Sequence, residues 1–364
     1  MDGSGILANL VFLVTGAPSS VSALTINAVS LNGGAIPTNT APGQFTVNTV
    51  YNVSGSVHFW YGNAGVPGVT LKLAGSQIYN AISGSDGNYA VQSVPSGMYM
   101  LNPAKNSVDE ATTGSSITPL DASVVLQHVV GLTNLTGPAA IAADVDHLNG
   151  INGLDAYYIL QKSVDLIQLP FSGAGAVWKF NPDQRFYTSL EDNQTEQDFT
   201  AILLGDVSGN WTAAQSGTTI LASSNLSDTV ILALEAAQPD GNNQVAVTLK
   251  IISAPEGLSN LVFTLDYDST KATFQQATLD PAAQGWLIVT NSQPGKACIA
   301  LAGAKTLNQP GDVLNMVFQL SDAEQSVILQ PTNISLDEGQ RSVQLNSVII
   351  GVDDHFIFVP YVKR

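Results

Sequence analysis

From residue 69 to residue 73 apolar side chains alternate with polar ones, Val69, Leu71 and Leu73 against Thr70 and Lys72, the two-residue period of a strand with one buried face. "GVPG", "SDGN" and "VPSG" punctuate the surrounding chain as turns, so residues 54–103 read as a small β-sandwich. "QVAVTLKII", "LVFTLDYD" and "KACIALAG" continue the strand pattern further along. "ILANLVFLVTG" near the start also reads as a strand, being shorter than the ~20 apolar residues of a membrane helix. Residues 180–204 are strand-like around a polar, acidic turn, either as a separate hairpin or as a return that finishes the small sandwich. Two stretches follow a different period. Leu120, Val124, Val125 and Val129, and then Leu154, Tyr158 and Ile159, fall at helical spacing, which predicts two helices that bury one face each against the other.

These helices belong to an internal repeat. "ITPLDASVVLQHVVGL" (117–132) lies over "INGLDAYYILQKSVDL" (151–166) without a gap, as a duplicated loop-helix unit would. A second repeat has longer range: "GILANLVFLV" from Gly5 aligns with "GDVLNMVFQL" from Gly311, and "VSLN" at Val29 falls over "ISLD" at Ile334 after a shift of one. The chain therefore starts partway through a module that it later contains whole. Strands expected at 6–14 and 24–31 would present an apolar face and open backbone edges. Either polypeptide upstream covers them or a neighbouring copy does. A subunit with a deficit at one end assembles head to tail, and the apolar tail "HFIFVPYVKR" (with Asp354, residues 354–364) is the candidate for a donated strand.

Composition narrows the function. Charged residues make up 11% of the 364, which together with abundant Gly, Ser, Thr, Asn and Val favours β-sandwich modules, about two to four at the usual domain size. A formal charge of −17 with only 12 Lys and Arg excludes nucleic acid and an anionic membrane as partners and suits divalent cations. The single cysteine, Cys298, forms no intrachain disulfide and reads as a buried strand thiol.

The stretch "AADVDHLNGINGLDAYYILQ" carries the candidate chemistry. A calcium loop of EF-hand type takes oxygen ligands at its first, third, fifth, seventh, ninth and twelfth places and leads into a helix. With Asp155 twelfth, Asp144 is first, Asp146 third, the Gly150 carbonyl seventh and Asn152 ninth. The fifth place is Leu148, which offers no ligand, and the sixth is Asn149, which tolerates a left-handed backbone. The alternative is a polar turn that caps a helix with Asp155. In the first copy, with Asp121 twelfth, the first, third and ninth places fall to Glu110, Thr112 and Thr118, with Asp109 as a substitute for missing charge; a turn without metal is the alternative there. A third acidic turn, "GDVSGNW", offers Asp206, Ser208 and Asn210, either as an Asx turn or as the completion of a neighbouring site.

The two loop-helix copies resemble the duplicated calcium-binding segment of type I dockerin modules, and residues 226–352, with "LVFTLDYDSTKATF", resemble a cohesin module. Residues 54–103 are similar to Cna-B-like or carboxypeptidase-regulatory-like sandwiches. The resemblance implies a mainly β chain of tandem cohesin-like, immunoglobulin-like sandwiches with a small helical insert that binds Ca²⁺. Its expected parts are the C-terminal part of a cohesin-like sandwich (1–46), a small Cna-B-like sandwich (47–105), the dockerin-like insert (106–170), a hairpin with an acidic turn (171–224), a complete cohesin-like sandwich (225–352) and a tail (353–364). It also implies that the residues before each last ligand select a cohesin, commonly as Ser or Thr. Pro119-Leu120 and Gly153-Leu154 depart from that pattern, which suggests packing within the same chain.

Enzyme readings fail on inventory, since His58, His128, His147 and His355 are scattered without HExxH, and GxSxG, CxxC and phosphate-cradling glycine loops are lacking. Trp60, Tyr61, Trp178, Trp211 and Trp286 keep a carbohydrate-binding reading open, with core packing as the default for each. The sequons at Asn52, Asn134, Asn193, Asn210, Asn225 and Asn333 decide nothing in a chain this rich in Asn, Ser and Thr. The expectation is a non-enzymatic, calcium-stabilised extracellular structural protein that associates with itself head to tail in a fibre or layer. A cellulosome-like scaffold that binds other cohesin or dockerin modules, or a carbohydrate-binding adhesin, are the alternatives.

Overall fold

The computed structural model describes residues 5–6, 8–110, 115–214, 229–254, 256–322 and 324–351. Thr112 and the tail named as a strand donor lie outside the described residues.

The chain opens on an isolated two-stranded ladder of β1 (Val21–Leu24) and β2 (Gly43–Thr46). The small sandwich follows with β3 (Val50–Phe59), β4 (Thr70–Ala74), β5 (Ile78–Ile82), β6 (Asn88–Pro95) and β7 (Tyr99–Ala104). Leu71 and Leu73 point into its core and Thr70 and Lys72 point out. A helical insert of α1 (Pro119–Val129), α2 (Gly137–Ala143) and α3 (Gly153–Ser163) interrupts it. The chain then returns as β8 (Trp178–Asn181), β9 (Arg185–Tyr187) and β10 (Phe199–Leu203). These strands complete two four-stranded sheets, ordered β6-β3-β10-β8 and β5-β4-β7-β9. β10 runs parallel to β3, with Phe199 opposite Val57, a pairing that needs a long crossover, and the insert lies on that crossover. Phe59 packs against Trp178 and Trp211, whose rings meet edge to face at 5.1 Å. Both buried indoles donate to backbone, Trp178 Nε1 to Ser107 O at 2.8 Å and Trp211 Nε1 to Val108 O at 2.9 Å.

The large sandwich is continuous in sequence. β11 (Val230–Ala236), β12 (Gln244–Ser253), β13 (Leu258–Asp266), β14 (Ala272–Leu279), β15 (Leu287–Gln293), β16 (Lys296–Leu307), β17 (Gly311–Leu320), β18 (Ser326–Ser335), β19 (Val343–Leu345) and β20 (Val348–Gly351) form two five-stranded sheets, β14-β17-β12-β11-β19 and β15-β16-β13-β18-β20. Val245, Val247, Leu249 and Ile251 of β12, with Phe318 of the neighbouring β17, pack in one core with Phe263 and Leu265 of the other sheet. The mainly β class, with tandem sandwiches and a helical insert, is as the sequence pattern predicts.

Residues 5–46 repeat the end of this sandwich, and the copies differ in an instructive way. β1 pairs with β2 from Val21↔Thr46 to Leu24↔Gly43, and β18 pairs with β20 from Ser326↔Gly351 to Leu329↔Val348, residue for residue the same register. The turn between repeats too: Asn32, Gly33 and Gly34 have φ of 52, 65 and 91°, and Asp337, Glu338 and Gly339 have 47, 57 and 79°. Each turn closes with the same two backbone bonds, Gly34 N to Leu31 O and Ala35 N to Asn32 O, Gly339 N to Leu336 O and Gln340 N to Asp337 O. Local sequence thus suffices for the hairpin and turn.

The strand expected at 6–14 does not form among the described residues, and the one expected at 24–31 ends at Leu24. The counterpart of 6–14, β17, is held on both edges by β12 and β14 and buries Val313, Leu314, Met316 and Phe318. Without such partners Val11 is 97% and Leu13 90% exposed. A strand of this kind exists only where a second strand satisfies its backbone.

The insert also turns differently than its periodicity predicts. Ala122, Val125 and Leu126 of α1 and Ala156, Ile159 and Leu160 of α3 are buried, whereas Val129 and Leu154 are each nearly half exposed. The buried faces point partly at each other and partly at the large sandwich, where α1 lies on β16 and β13, and α3 on β15. Val289, Ala300 and Ala302 join the helices in one core, with Cys298 half-buried beside them. Ser123 Oγ donates to Gly303 O at 2.7 Å and Asn291 Nδ2 to Val164 O at 2.8 Å. Packing within the chain, suggested by the Pro-Leu and Gly-Leu dipeptides, is what the helices do.

Candidate metal centres

The contiguous loop runs from the end of α2 into α3. Asp144 ends α2, and Asn152 caps α3 by accepting Leu154 N at 2.8 Å. Asp155, fully buried at the first turn of α3, accepts Val145 N at 2.9 Å and Asp146 N at 3.4 Å on Oδ1, and Asn152 N at 2.9 Å on Oδ2. Left-handed backbone at His147, Asn149 and Gly150, φ 55, 62 and 70°, curls the segment between them. The result brings carboxylate oxygens of Asp144, Asp146 and Asp155 within 4.8 Å of one another. Burial, reinforced by Asp146 and Asp144, pushes the Asp155 carboxyl up to about 6 against its backbone donors.

The first helix is served by the same scheme, drawn from two distant pieces of chain. Asp121 Oδ1 accepts Val207 N and Ser208 N, both at 2.8 Å, and its Oδ2 accepts Thr118 N at 2.8 Å. Leu120 N donates to Thr118 Oγ1 at 3.2 Å, as Leu154 N does to Asn152. Residues 206–210 therefore stand to Asp121 as 144–148 stand to Asp155. Asp206, fully buried, winds its own turn by accepting Gly209 N, Asn210 N and Trp211 N. The two pieces are fixed together by the bridge between Glu110 and Ala213 and by the Trp211 indole on Val108 O, and Gly205 N on Ala142 O ties the returning segment to α2. Gly209, at φ 78°, lies against Tyr61, where a Cβ would come within 2.6 Å of the Tyr61 Cβ.

The structure thus brings together Asp144, Asp146, Gly150, Asn152 and Asp155 in one place, and Thr118, Asp121, Asp206, Ser208 and Asn210 in another. Asp109 is engaged elsewhere: it pairs with buried Lys105 at 2.6 Å and accepts Ser107 Oγ, which holds its carboxyl below the usual range. Glu110 accepts the backbone and hydroxyl of Ser116. A residue that sequence reasoning missed completes the second group. Glu338, in the turn before β19, accepts Ser208 Oγ at 2.5 Å and Thr118 Oγ1 at 3.3 Å. Burial, with Glu338 as the second cause, pushes Asp121 up to about 7; burial and Asp121 raise Asp206 well above the carboxylate range. Burial raises Glu338 too, against the hydroxyls that donate to it. The sequence did contain a signal: "DVS" at 206–208 repeats "DVD" at 144–146.

The contiguous group, with three carboxylates within 4.8 Å of one another, fits the hard cation that the dockerin resemblance implies; the split group gathers oxygens of the same kind but not three carboxylates at that spacing. Their side-chain donors are oxygens alone, the set that suits Ca²⁺ or Mg²⁺ rather than a soft metal. Each also holds a buried acceptor that no hydrogen bond satisfies, Asp144 Oδ1 in the contiguous loop and Asn210 Oδ1 in the split one. A buried oxygen without a donor costs free energy that a cation would recover.

No family model matches the chain, and no curated protein matches it. Cohesin structures align with part of it. The sixth cohesin of scaffoldin B from Acetivibrio cellulolyticus, solved in complex with a mutant dockerin, aligns at TM-score 0.30 and 13% identity over 34% of this chain and 99% of that one. The cohesin CaCohA2 from Clostridium acetobutylicum aligns at TM-score 0.28 and 12% identity, covering 35% and 95%. A non-cellulosomal cohesin from the archaeon Archaeoglobus fulgidus aligns at TM-score 0.26 and 13% identity, covering 35% and 92%. At these values the likeness decides neither the family nor the role of this chain.

Proposed function

We propose that this chain is a non-catalytic structural protein of the cell exterior, that calcium in its two loops braces a helical insert against two sandwiches, and that copies associate head to tail in a fibre or layer. The observation that carries the assembly is the N-terminal copy. Residues 8–46 hold a preformed hairpin and turn, next to apolar Leu10, Val11, Phe12 and Leu13 that are all more than half exposed. A strand from the tail of another copy, or the adjoining face of its sandwich, would satisfy both their backbone and their apolar face by strand addition. Extracellular calcium modules work with loops of modest affinity, about 10⁻⁴ to 10⁻³ M, which suits loops with an incomplete ligand set.

Sedimentation and negative-stain microscopy of the full chain in calcium test this reading. Linear polymers are expected, shortened by Leu10→Asp with Phe12→Asp, and a strictly monomeric chain overturns it. Binding of outside dockerin-bearing proteins, the scaffolding alternative, competes with the chain's own helices, which already cover β13, β15 and β16. The adhesin alternative loses most of its platform, because Trp178, Trp211 and Trp286 are buried and only Tyr61 of the five aromatics is well exposed.

A further inference from the structure

Glu338 belongs to the large sandwich, yet its carboxylate enters the split loop of the insert. The turn that carries it is held by its own module: Asn260, buried in β13, donates from Nδ2 to Asp337 Oδ1 at 2.6 Å and accepts Asp337 N at 3.1 Å, and Arg341 reaches Asp337 at 3.2 Å. The N-terminal copy supplies the control. There the same turn, in the same left-handed conformation, has Gly33 where the complete module has Glu338. Glycine is the residue such a backbone favours, and a glutamate there is strained. The strained residue stands in the copy that faces a cation loop, and glycine in the copy that faces none among the described residues.

We infer that Glu338 is a ligand supplied across the module boundary, so that the ion of the split loop joins the insert to the large sandwich and its binding is coupled to their docking. Asn210 Oδ1, in the same loop, is buried and accepts no hydrogen bond. Thr118 and Ser208, which Glu338 now contacts, come from the two separate pieces of that loop. One carboxylate thus meets three parts of the chain. The inference rests on the calcium reading of the loops.

The test is a calcium titration of the full chain by calorimetry, for the wild type and for Glu338→Gly, a change the turn accepts in the N-terminal copy. Two sites are expected in the wild type. In the variant one should weaken by on the order of tenfold or more, as loss of even an outer-shell partner brings about, and the other should stay unchanged. An unchanged pair of affinities overturns the role of Glu338 and leaves the loops as calcium sites. A wild type that takes up no calcium overturns the reading beneath it. Should the variant fail to fold, hydrogen exchange on an Asp155→Asn chain, whose remaining site is the split loop, answers instead. Calcium should slow exchange in residues 336–341 as well as 118–126, and protection confined to 118–126 contradicts the inference.

Discussion

The loop at 144–155 and the loop assembled from 206–210 and 118–121 share one hydrogen-bonding scheme and differ in how far apart their parts lie in sequence. In the first, a buried aspartate at the start of a helix collects backbone donors from residues nine and ten places before it. In the second, the donors lie 86 and 87 places after it. The first loop can close as a local turn, at a small cost in chain entropy. The second closes only once β8 to β10 have returned to the small sandwich, and it takes its last carboxylate from the large one. On the proposed reading, an ion in the first would stabilise a helix, and an ion in the second would hold three modules in one arrangement.

The largest effect that would sharpen this contrast is removal of calcium. At about 10 mM free calcium, about a hundredfold above a dissociation constant of about 10⁻⁴ M, each site adds about 2.7 kcal/mol, so excess chelator should lower the melting temperature and open the insert to protease. Unchanged melting in chelator would break the account at once. Next come the aspartates. Asp121→Ala leaves orphaned the backbone donors of both pieces of the split loop and should cost about 3–5 kcal/mol, the range for breaking a buried charged network. Asp155→Ala should cost less and unfold chiefly α3. Differential scanning calorimetry of the two variants in calcium checks the order, and the reverse order would mean that the split loop does not join modules.

The effect of pH is smaller and has a definite sign. In chelator, Asp121 and Asp155, raised to about 7 and about 6, bind more protons folded than unfolded. Their contribution is full below the unfolded value near 3.8 and is lost as pH rises through the folded values, so the apo protein should melt higher at pH 5 than at pH 7.5. With calcium bound the carboxylates stay ionised and the trend should reverse. Parallel trends with and without calcium would exclude these carboxylates as ligands. The smallest difference concerns glycine. Gly150→Ala meets open space and bears only the cost of a left-handed backbone, about 1–2 kcal/mol. Gly209→Ala bears that cost and a 2.6 Å approach to Tyr61, so it should melt lower than Gly150→Ala.

What the sequence disclosed follows the same division between local and distant. The strand alternation of β4 and β12, both helices and the contiguous loop were legible because neighbours in sequence decide them. The turn at Asn32 was not read, although the match of "VSLN" to "ISLD" leads into it and its conformation recurs at Asp337 with different residues. The split loop was assigned to Glu110, Thr112 and Asp109, the nearest residues at the right spacing, because no periodicity reveals that a chain will return after more than eighty residues. The buried face of α1 was misplaced for a related reason: Ser123, polar in sequence, is buried because it donates to Gly303 of another module. The strand expected at 6–14 does not form among the described residues, where no described strand flanks it as β12 and β14 flank β17. Glu338 carried no signal beyond the glycine that stands in its place in the other copy.

The central claim is that two cations sit in these two loops, and anomalous scattering from crystals of the full chain grown in calcium tests it most directly. The account requires one peak among Asp144, Asp146 and Asp155 and a second among Asp121, Asp206, Asn210 and Glu338, each with oxygens at about 2.3–2.6 Å. Peaks absent from both loops, or confined to exposed carboxylates elsewhere, would contradict it.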